Sequence, residues 1–370
     1  MMKKKSGALK AVLAGLLAFS MLPLTGCQKE EANQKAVNVA VIVKNMESSY
    51  WDPVWKACDD LEEELGDEVN IIRMGPNEES AEAQIPIIQN AVNQKVDAIV
   101  LAACDAEAEN EVVATATAAG IHVLTIDSDI TYEGKAAYVG TMNKNAGESA
   151  AREAARLLGN EGKIGVIYHG DASTASERRD GFVNQISGNV EAPPEMAAGA
   201  GSKQNNSLPQ ETDESGEAAE EETVQISQEL ASYANIKITD VLDGESDWQK
   251  SKEQATKLIT EDHVDLIFAT NRKGTWGACE AISELGKQGE VYVVGFDYFE
   301  NEGKSADMYL SKGILNVTFI QNPYNMGYLG VRYAIEIAQG EPIPSLVDTG
   351  AMPVTADNIN DDDIQFLINN

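Results

Sequence analysis

The stretch VNVAVIV at residues 37–43, running straight into Lys44 and Asn45, decides the fold. Apart from Asn38 it is apolar without a break. Alternating polar residues would mark a strand with one face in water. Continuous apolarity marks a strand covered on both faces, as in a parallel sheet flanked by helices. The same pattern returns in VDAIVLAA (96–103), IHVLTI (121–126), KIGVIY (163–168), VDLIFAT (264–270) and VYVVGF (291–296). Two less regular runs, VNIIR (69–73) and IKITDVL (236–242), read as strands as well. Helical patterns lie between them; in 143–158, Ala146, Ala150, Ala154 and Leu157 share one face. Strands alternating with helices over this length predict α/β folding with doubly wound parallel sheets and right-handed crossovers.

Several of these strands end on a polar residue. Lys44 and Asn45 follow the first, Asp105 follows VDAIVLAA after Cys104, and Asp127 follows IHVLTI. Asn271 follows VDLIFAT, Asp297 follows VYVVGF, and a later apolar run, GILNVTFI, ends at Gln321. Any one of them could be turn chemistry or a helix N-cap. In open parallel sheets, however, ligands bind in the crevice outside the carboxyl ends of the strands. Six such ends in one chain therefore predict a shared cleft. Carboxylates and amides there suit the paired hydroxyls of a polyol, and charge-assisted bonds are the stronger ones. Tyr50, Trp51 and Trp248 could supply apolar faces for a sugar ring. Tyr50 or Trp51 could equally be staples that pack the first helix.

The N-terminus carries Lys3, Lys4 and Lys5, an apolar run from Ala11 to Leu24, and Leu24-Thr25-Gly26-Cys27. The run is too short to span a bilayer as a stable helix and reads as a signal peptide. The segment resembles a bacterial lipoprotein signal, which implies lipid attachment, palmitate included, at Cys27 and an extracytoplasmic, membrane-anchored mature chain. Residues 27–35 then form a tether. The net charge of −32 becomes −36 once residues 1–26, with four lysines and no acid, are removed. Nucleic acid is excluded as a partner at that charge, because phosphate binding needs clustered Lys and Arg. Cys58, Cys104 and Cys279 are too few and too widely spaced for a disulfide framework or a zinc site, and His122, His169 and His263 are isolated. No metal or cofactor is expected. Residues 191–223 hold nine acids, one lysine, two adjacent prolines and almost no aliphatic side chains, which predicts a disordered acidic insertion.

Taken together, these motifs resemble those of a sugar-binding type I periplasmic-type substrate-binding protein of an ABC importer, similar to the ribose and galactose binders over about residues 37–355. SSYWDPVWKA (48–57) is similar to the family's Asn-Pro-aromatic-aromatic opening, with Ser48 and Ser49 in place of Asn and Pro. Asp127 matches the acid that ends the fourth strand. SERRDGF (176–182) matches an Arg-containing turn, in which Arg178 takes the place of the ligand-binding arginine. Ser246-Asp247-Trp248 matches the Asp-aromatic pair, with Trp248 as the stacking ring. Asn271, Asp297 and Gln321 complete the set.

The resemblance implies two Rossmann-like lobes joined by a three-segment hinge, with the ligand cleft between them. Lobe one would be 36–141 plus 322–351, and lobe two 142–321 plus 352–370. It also implies a monomer that delivers a pentose or hexose to an ABC permease by hinge closure. The chain departs from the pentose binders at Ser128 and Asp129, where they carry Arg after the acid. It departs again at Arg272 and Lys273, where they tend to carry an acid. A basic rim leaves uronates and sugar phosphates as alternative ligands, and autoinducer-like furanoses are a further alternative. A sensor that presents its sugar to a chemoreceptor or kinase would use the same lobes. No nucleophile elbow, Walker A or Rossmann glycine fingerprint is present, so no catalytic residue is expected. A sugar-responsive repressor would need a DNA-binding unit where the lipoprotein-like signal stands.

Overall fold

The computed structural model describes residues 36–170, 173–188, 233–301 and 303–369. The expectations for Cys27, the tether and the acidic insertion lie outside these residues. The described chain forms two six-stranded sheets, each covered by helices on both faces.

Sheet one contains β1 (Val37–Ile42), β2 (Val69–Met74), β3 (Ala98–Leu101), β4 (His122–Ile126), β5 (Ala137–Gly140) and β13 (Leu346–Asp348). Their order across the sheet is β2-β1-β3-β4-β5-β13, parallel throughout. Sheet two contains β6 (Glu161–Tyr168), β7 (Asn235–Asp243), β8 (Leu266–Ala269), β9 (Tyr292–Phe296), β12 (Val317–Gln321) and β14 (Ala351–Val354). Its order, β7-β6-β8-β9-β12-β14, repeats that of sheet one, except that β14 runs antiparallel to β12. A short hairpin, β10 (Glu300–Asn301) with β11 (Lys304–Ser305), follows β9.

The helices of lobe one are α1 (Asp52–Leu65), α2 (Ala81–Gln94), α3 (Asn110–Ala118) and α9 (Pro323–Ala338). Those of lobe two are α4 (Asn143–Leu158), α5 (Ser173–Ser187), α6 (Trp248–Thr260), α7 (Arg272–Leu285), α8 (Ala306–Ser311) and α10 (Asp362–Asn369). The chain passes between the sheets three times, after β5, after β12 and between β13 and β14. The first and third crossings are tied together. Thr141 Oγ1 donates to Gly350 O (3.1 Å), Thr349 N to Gly140 O (2.9 Å) and Met142 N to Asp348 Oδ1 (3.1 Å).

Local sequence explains where helices begin. Ser80, Asp247 and Asn271 each cap the N-terminus of the helix that follows, accepting from Ala83, Lys250 and Gly274 respectively. Asn322 caps α9, with Pro323 in the first turn, where a missing N–H costs nothing. Gly159 and Gly286, both left-handed, end α4 and α7. Each sheet face buries its own apolar cluster; in lobe two, Phe182 stacks on Phe268 at 4.0 Å. Gly147 on α4 and Gly181 on α5 let those helices meet backbone to backbone. A Cβ on either would lie about 2 Å from a carbonyl oxygen of the other helix. The segment SERRDGF lies inside α5, so the Arg-containing turn expected there is a helix.

Candidate functional site

Asp127 and Asp297 occupy equivalent places in the two lobes, each the first residue after the fourth strand of its sheet in spatial order. Both have a left-handed backbone, φ 60° and 65°. Asp is one of the few non-glycine residues that visits this region. Their amides bond the neighbouring strand: Asp127 N donates to Val139 O and Asp297 N to Phe319 O. The repeat thus aims one carboxylate from each sheet beyond the strand ends.

Around Asp127, Tyr50 donates its hydroxyl to Oδ1 at 2.6 Å and Ser128 donates to Oδ2 at 2.9 Å. Lys44 Nζ lies 3.2 Å from Oδ2 and also donates to Ser128 Oγ. Asp127 is buried, and burial alone would raise its pKa. The Lys44 charge and the Tyr50 and Ser128 bonds outweigh burial and hold the carboxyl below its ordinary range. Lys44 shows the reciprocal balance: burial pushes its pKa down, and Asp127 with Glu79 raises it on balance. Burial first, then the negative charges of Asp127 and Asp297, push the Tyr50 hydroxyl well up. Tyr50 therefore stands within electrostatic reach of both carboxylates.

In lobe two, Arg178 is 3% exposed and fixed on three sides. Its Nε donates to Asn143 Oδ1 (2.8 Å), its Nη1 donates to Thr270 O (3.1 Å), and its guanidinium lies over the Phe296 ring at 4.3 Å. Nη1 is 4.0 Å from Asp297 Oδ2. Gln321 Nε2 donates to Asp297 Oδ1 at 2.7 Å, while Gln321 Oε1 is a buried acceptor without a protein partner among the described residues.

Five of the eight ligand residues expected from sequence thus form one group: Tyr50, Asp127, Arg178, Asp297 and Gln321. The other three are differently engaged. Trp51 is buried in the core of lobe one, where it meets the Tyr50 ring edge-on, so it packs α1. Trp248 stacks on Trp276 at 4.4 Å and joins the core of lobe two. Asn271 sits beside Thr270 and uses Oδ1 to cap α7. Asp105, another of the polar strand ends, closes a turn through the Glu107 and Ala108 amides. Lys44 and Asn143 are the site residues that sequence reasoning did not assign. Lys44 carried a signal, its place at the end of the first strand; Asn143 carried none.

The group offers ionised acceptors, an amide and two cations in a partly dry cleft, a set suited to hydroxyl-bearing ligands. A cavity of about 500 Å³ borders Tyr50, Arg272, Asp297 and Gln321. Among the described residues no cluster of His, Cys, Asp and Glu could hold a metal ion, and no helix is long and apolar enough to cross a membrane.

The chain is similar to known proteins along most of its length. The chain is 22% identical over 351 residues to a ribose import binding protein of Bacillus subtilis, covering 92% of this chain and 97% of that protein. It is 24% identical over 334 residues to a D-allose-binding periplasmic protein of Escherichia coli, covering 87% and 91%. A solved ABC transporter solute-binding protein from Agrobacterium vitis, with bound D-fucose, is 28% identical, with TM-score 0.69 over 89% of this chain and 98% of that one. A solved carbohydrate transporter solute-binding protein from Agrobacterium radiobacter, in complex with D-arabinose, is 25% identical, also with TM-score 0.69, over 90% and 99%. These relatives are named as binding proteins, in keeping with a site built to hold a ligand. The sequence profile of the periplasmic binding protein domain matches residues 39–228 and 211–342, most of both lobes, and the chain belongs to that family.

Proposed function

We propose that this protein is a lipid-anchored extracytoplasmic receptor that binds a neutral monosaccharide, a pentose or hexose, between its lobes and delivers it to an ABC importer. The observation that carries the reading is the pair Asp127 and Asp297, one from each lobe, each at the same point of a repeated strand order. A ligand that bonds both carboxylates ties the lobes together, and closure is stabilised by the contacts that only the closed form makes. Asp127, Arg178, Asp297 and Gln321 bind hydroxyls, Lys44 joins them, and Tyr50 covers the ring. Relatives named for ribose, allose, fucose and arabinose support the ligand class. Cys27 would carry the lipid, and the tether would leave the lobes free to reach a permease. The division into lobe one (36–141, 322–351) and lobe two (142–321, 352–370) belongs to the same proposal.

A thermal-shift panel of D-ribose, D-allose, D-galactose, L-arabinose and D-fucose tests it. Ligand at about a thousand times its Kd adds about 4 kcal/mol to stability, several degrees of midpoint. A shift with one of these sugars supports the reading. The same panel extended to D-glucuronate and D-ribose 5-phosphate separates the alternative, since a response confined to those two would transfer the specificity to Arg272 and Lys273.

A further inference from the structure

The cavity of about 500 Å³ lies just outside the hydroxyl-binding group, with which it shares Tyr50, Asp297 and Gln321. Asp127, Lys44 and Arg178 do not line it, so it extends from the Asp297 side of the group towards the C-terminal helix. Its outer wall is α10, through Leu367 and Ile368. That helix is held on both sides. Ile364 is buried in the core of lobe two with Leu367 and Ile368 packed against it, and the Phe366 ring meets Tyr324 of α9 edge-on at 5.2 Å. Tyr324 is fixed in turn by donating to Asp60 of α1 at 2.9 Å. The wall is therefore preformed.

The lining identifies the chemistry of an occupant. At about 30 Å³ per water the cavity has the room of about 17 waters, more than one pyranose displaces. Apolar faces from Pro53, Leu367 and Ile368 stand beside hydrogen-bonding groups. Gln321 is 4% exposed and its Oε1 is an unpartnered acceptor. Arg272 makes no ion pair among the described residues and offers donors from another wall. Charge argues against a phosphate: Asp52, Asp297 and Glu300 face Lys56 and Arg272, and Lys56 is paired with Asp60. A wholly apolar occupant would leave the Gln321 acceptor and the Arg272 donors unsatisfied.

Building on the sugar-binding reading above, we propose that this cavity is a second glycosyl subsite. The preferred ligand is a neutral disaccharide or glycoside. Its terminal ring lies at Asp127 and Asp297, and its second ring lies against α10 and Arg272.

The test is calorimetric titration of the protein with D-galactose and D-glucose, and with lactose, melibiose, cellobiose and maltose. The same series is run on Ile368→Trp, which fills the cavity, on Arg272→Ala, which removes donors without adding bulk, and on Asp297→Ala. At least one disaccharide is expected to bind about tenfold or more tighter than its terminal monosaccharide, the worth of one additional hydrogen bond to a charged group. Ile368→Trp or Arg272→Ala should erase that advantage and leave the monosaccharide affinity within about twofold, whereas Asp297→Ala should weaken both ligands. Monosaccharide binding with no disaccharide tighter would overturn the second subsite and leave the sugar receptor standing. A disaccharide advantage that survives both cavity variants would also overturn it. Silence from this whole series would overturn the second subsite, and silence from the thermal-shift sugars as well would overturn the sugar receptor itself.

Discussion

The Lys44–Asp127 pair can be dissected by a double-mutant cycle. Both side chains are largely withdrawn from water, at 13% and 8% exposure, with Nζ and Oδ2 3.2 Å apart. Asp127→Asn keeps an acceptor for Tyr50 but leaves the Lys44 ammonium with the Ser128 hydroxyl and one anion, Glu79, 4.0 Å away and 60% exposed. Lys44→Met keeps the apolar stem and leaves Asp127 with two hydrogen bonds and no cation. Removing one partner of a buried pair costs about 3–5 kcal/mol, while replacing both with groups of similar volume is often near neutral. Because Tyr50 and Ser128 still serve Asp127, the lower end applies, about 3 kcal/mol for each single variant. At about 2 °C per kcal/mol for domains of this size, each should lower the thermal midpoint by about 6 °C. The loss in the double variant should fall well short of the sum of the two single losses, with a coupling energy of about 2 kcal/mol or more. Thermal melts of the four proteins without ligand, at neutral pH and fixed ionic strength, provide the measurement. Losses that simply add, within about 0.5 kcal/mol, would mean that the two groups do not form a buried pair and that the geometry around Asp127 is wrong.

Other consequences follow from single residues. Glu109 is buried with Oε2 unpartnered, and burial pushes its carboxyl up to about 7. Since the folded value exceeds the ordinary one, the folded state holds the proton more tightly. The stability penalty is fully present above about pH 7 and is relieved as pH falls towards 4.5, by up to about 1.4 kcal/mol per pH unit. Glu109→Gln should flatten that slope and raise the midpoint at pH 8; an unchanged profile would place the proton elsewhere. Gly181→Ala drives a methyl into Lys144 O and should cost about 1–3 kcal/mol. It should also weaken sugar binding by moving Arg178 on the same helix, and full affinity in the variant would show that Arg178 is not positioned by this contact. Trp248→Ala should lose about 2 kcal/mol of stability with its stack on Trp276, yet keep affinity within about twofold. A large affinity loss would restore Trp248 as a stacking ring.

The strands buried on both faces were the legible part of the fold. VNVAVIV, VDAIVLAA, IHVLTI, VDLIFAT and VYVVGF all contain core strands, because short, β-branched-rich apolar runs fit a strand buried on both faces better than a helix. The strand AYVG at 137–140 gave too short an apolar run to stand out. β13 and β14 are sheet-edge strands with half-exposed side chains such as Leu346 and Met352, which leave no such run. In the candidate site, the two aspartates stood out as part of a set of polar strand ends, although Asp105 of the same set closes a turn. Trp51 and Trp248 were not separable from ligand-stacking rings, since an aromatic beside a polar turn reads alike whether it packs on a sugar or on another tryptophan. Asn143 depends on α4 packing against α5 to bring it to Arg178, a contact between helices that no local pattern encodes.

The central claim is that one sugar is gripped by both lobes. Its most direct test is calorimetric titration of the responding sugar into the unaltered protein, Asp127→Ala and Asp297→Ala. The account predicts that each substitution weakens binding by about 10- to 100-fold, the loss of a hydrogen bond to an ionised acceptor of about 1.5–3 kcal/mol, although the two aspartates belong to different sheets. Undiminished affinity in either variant would contradict it, because the ligand would then be held by one lobe alone.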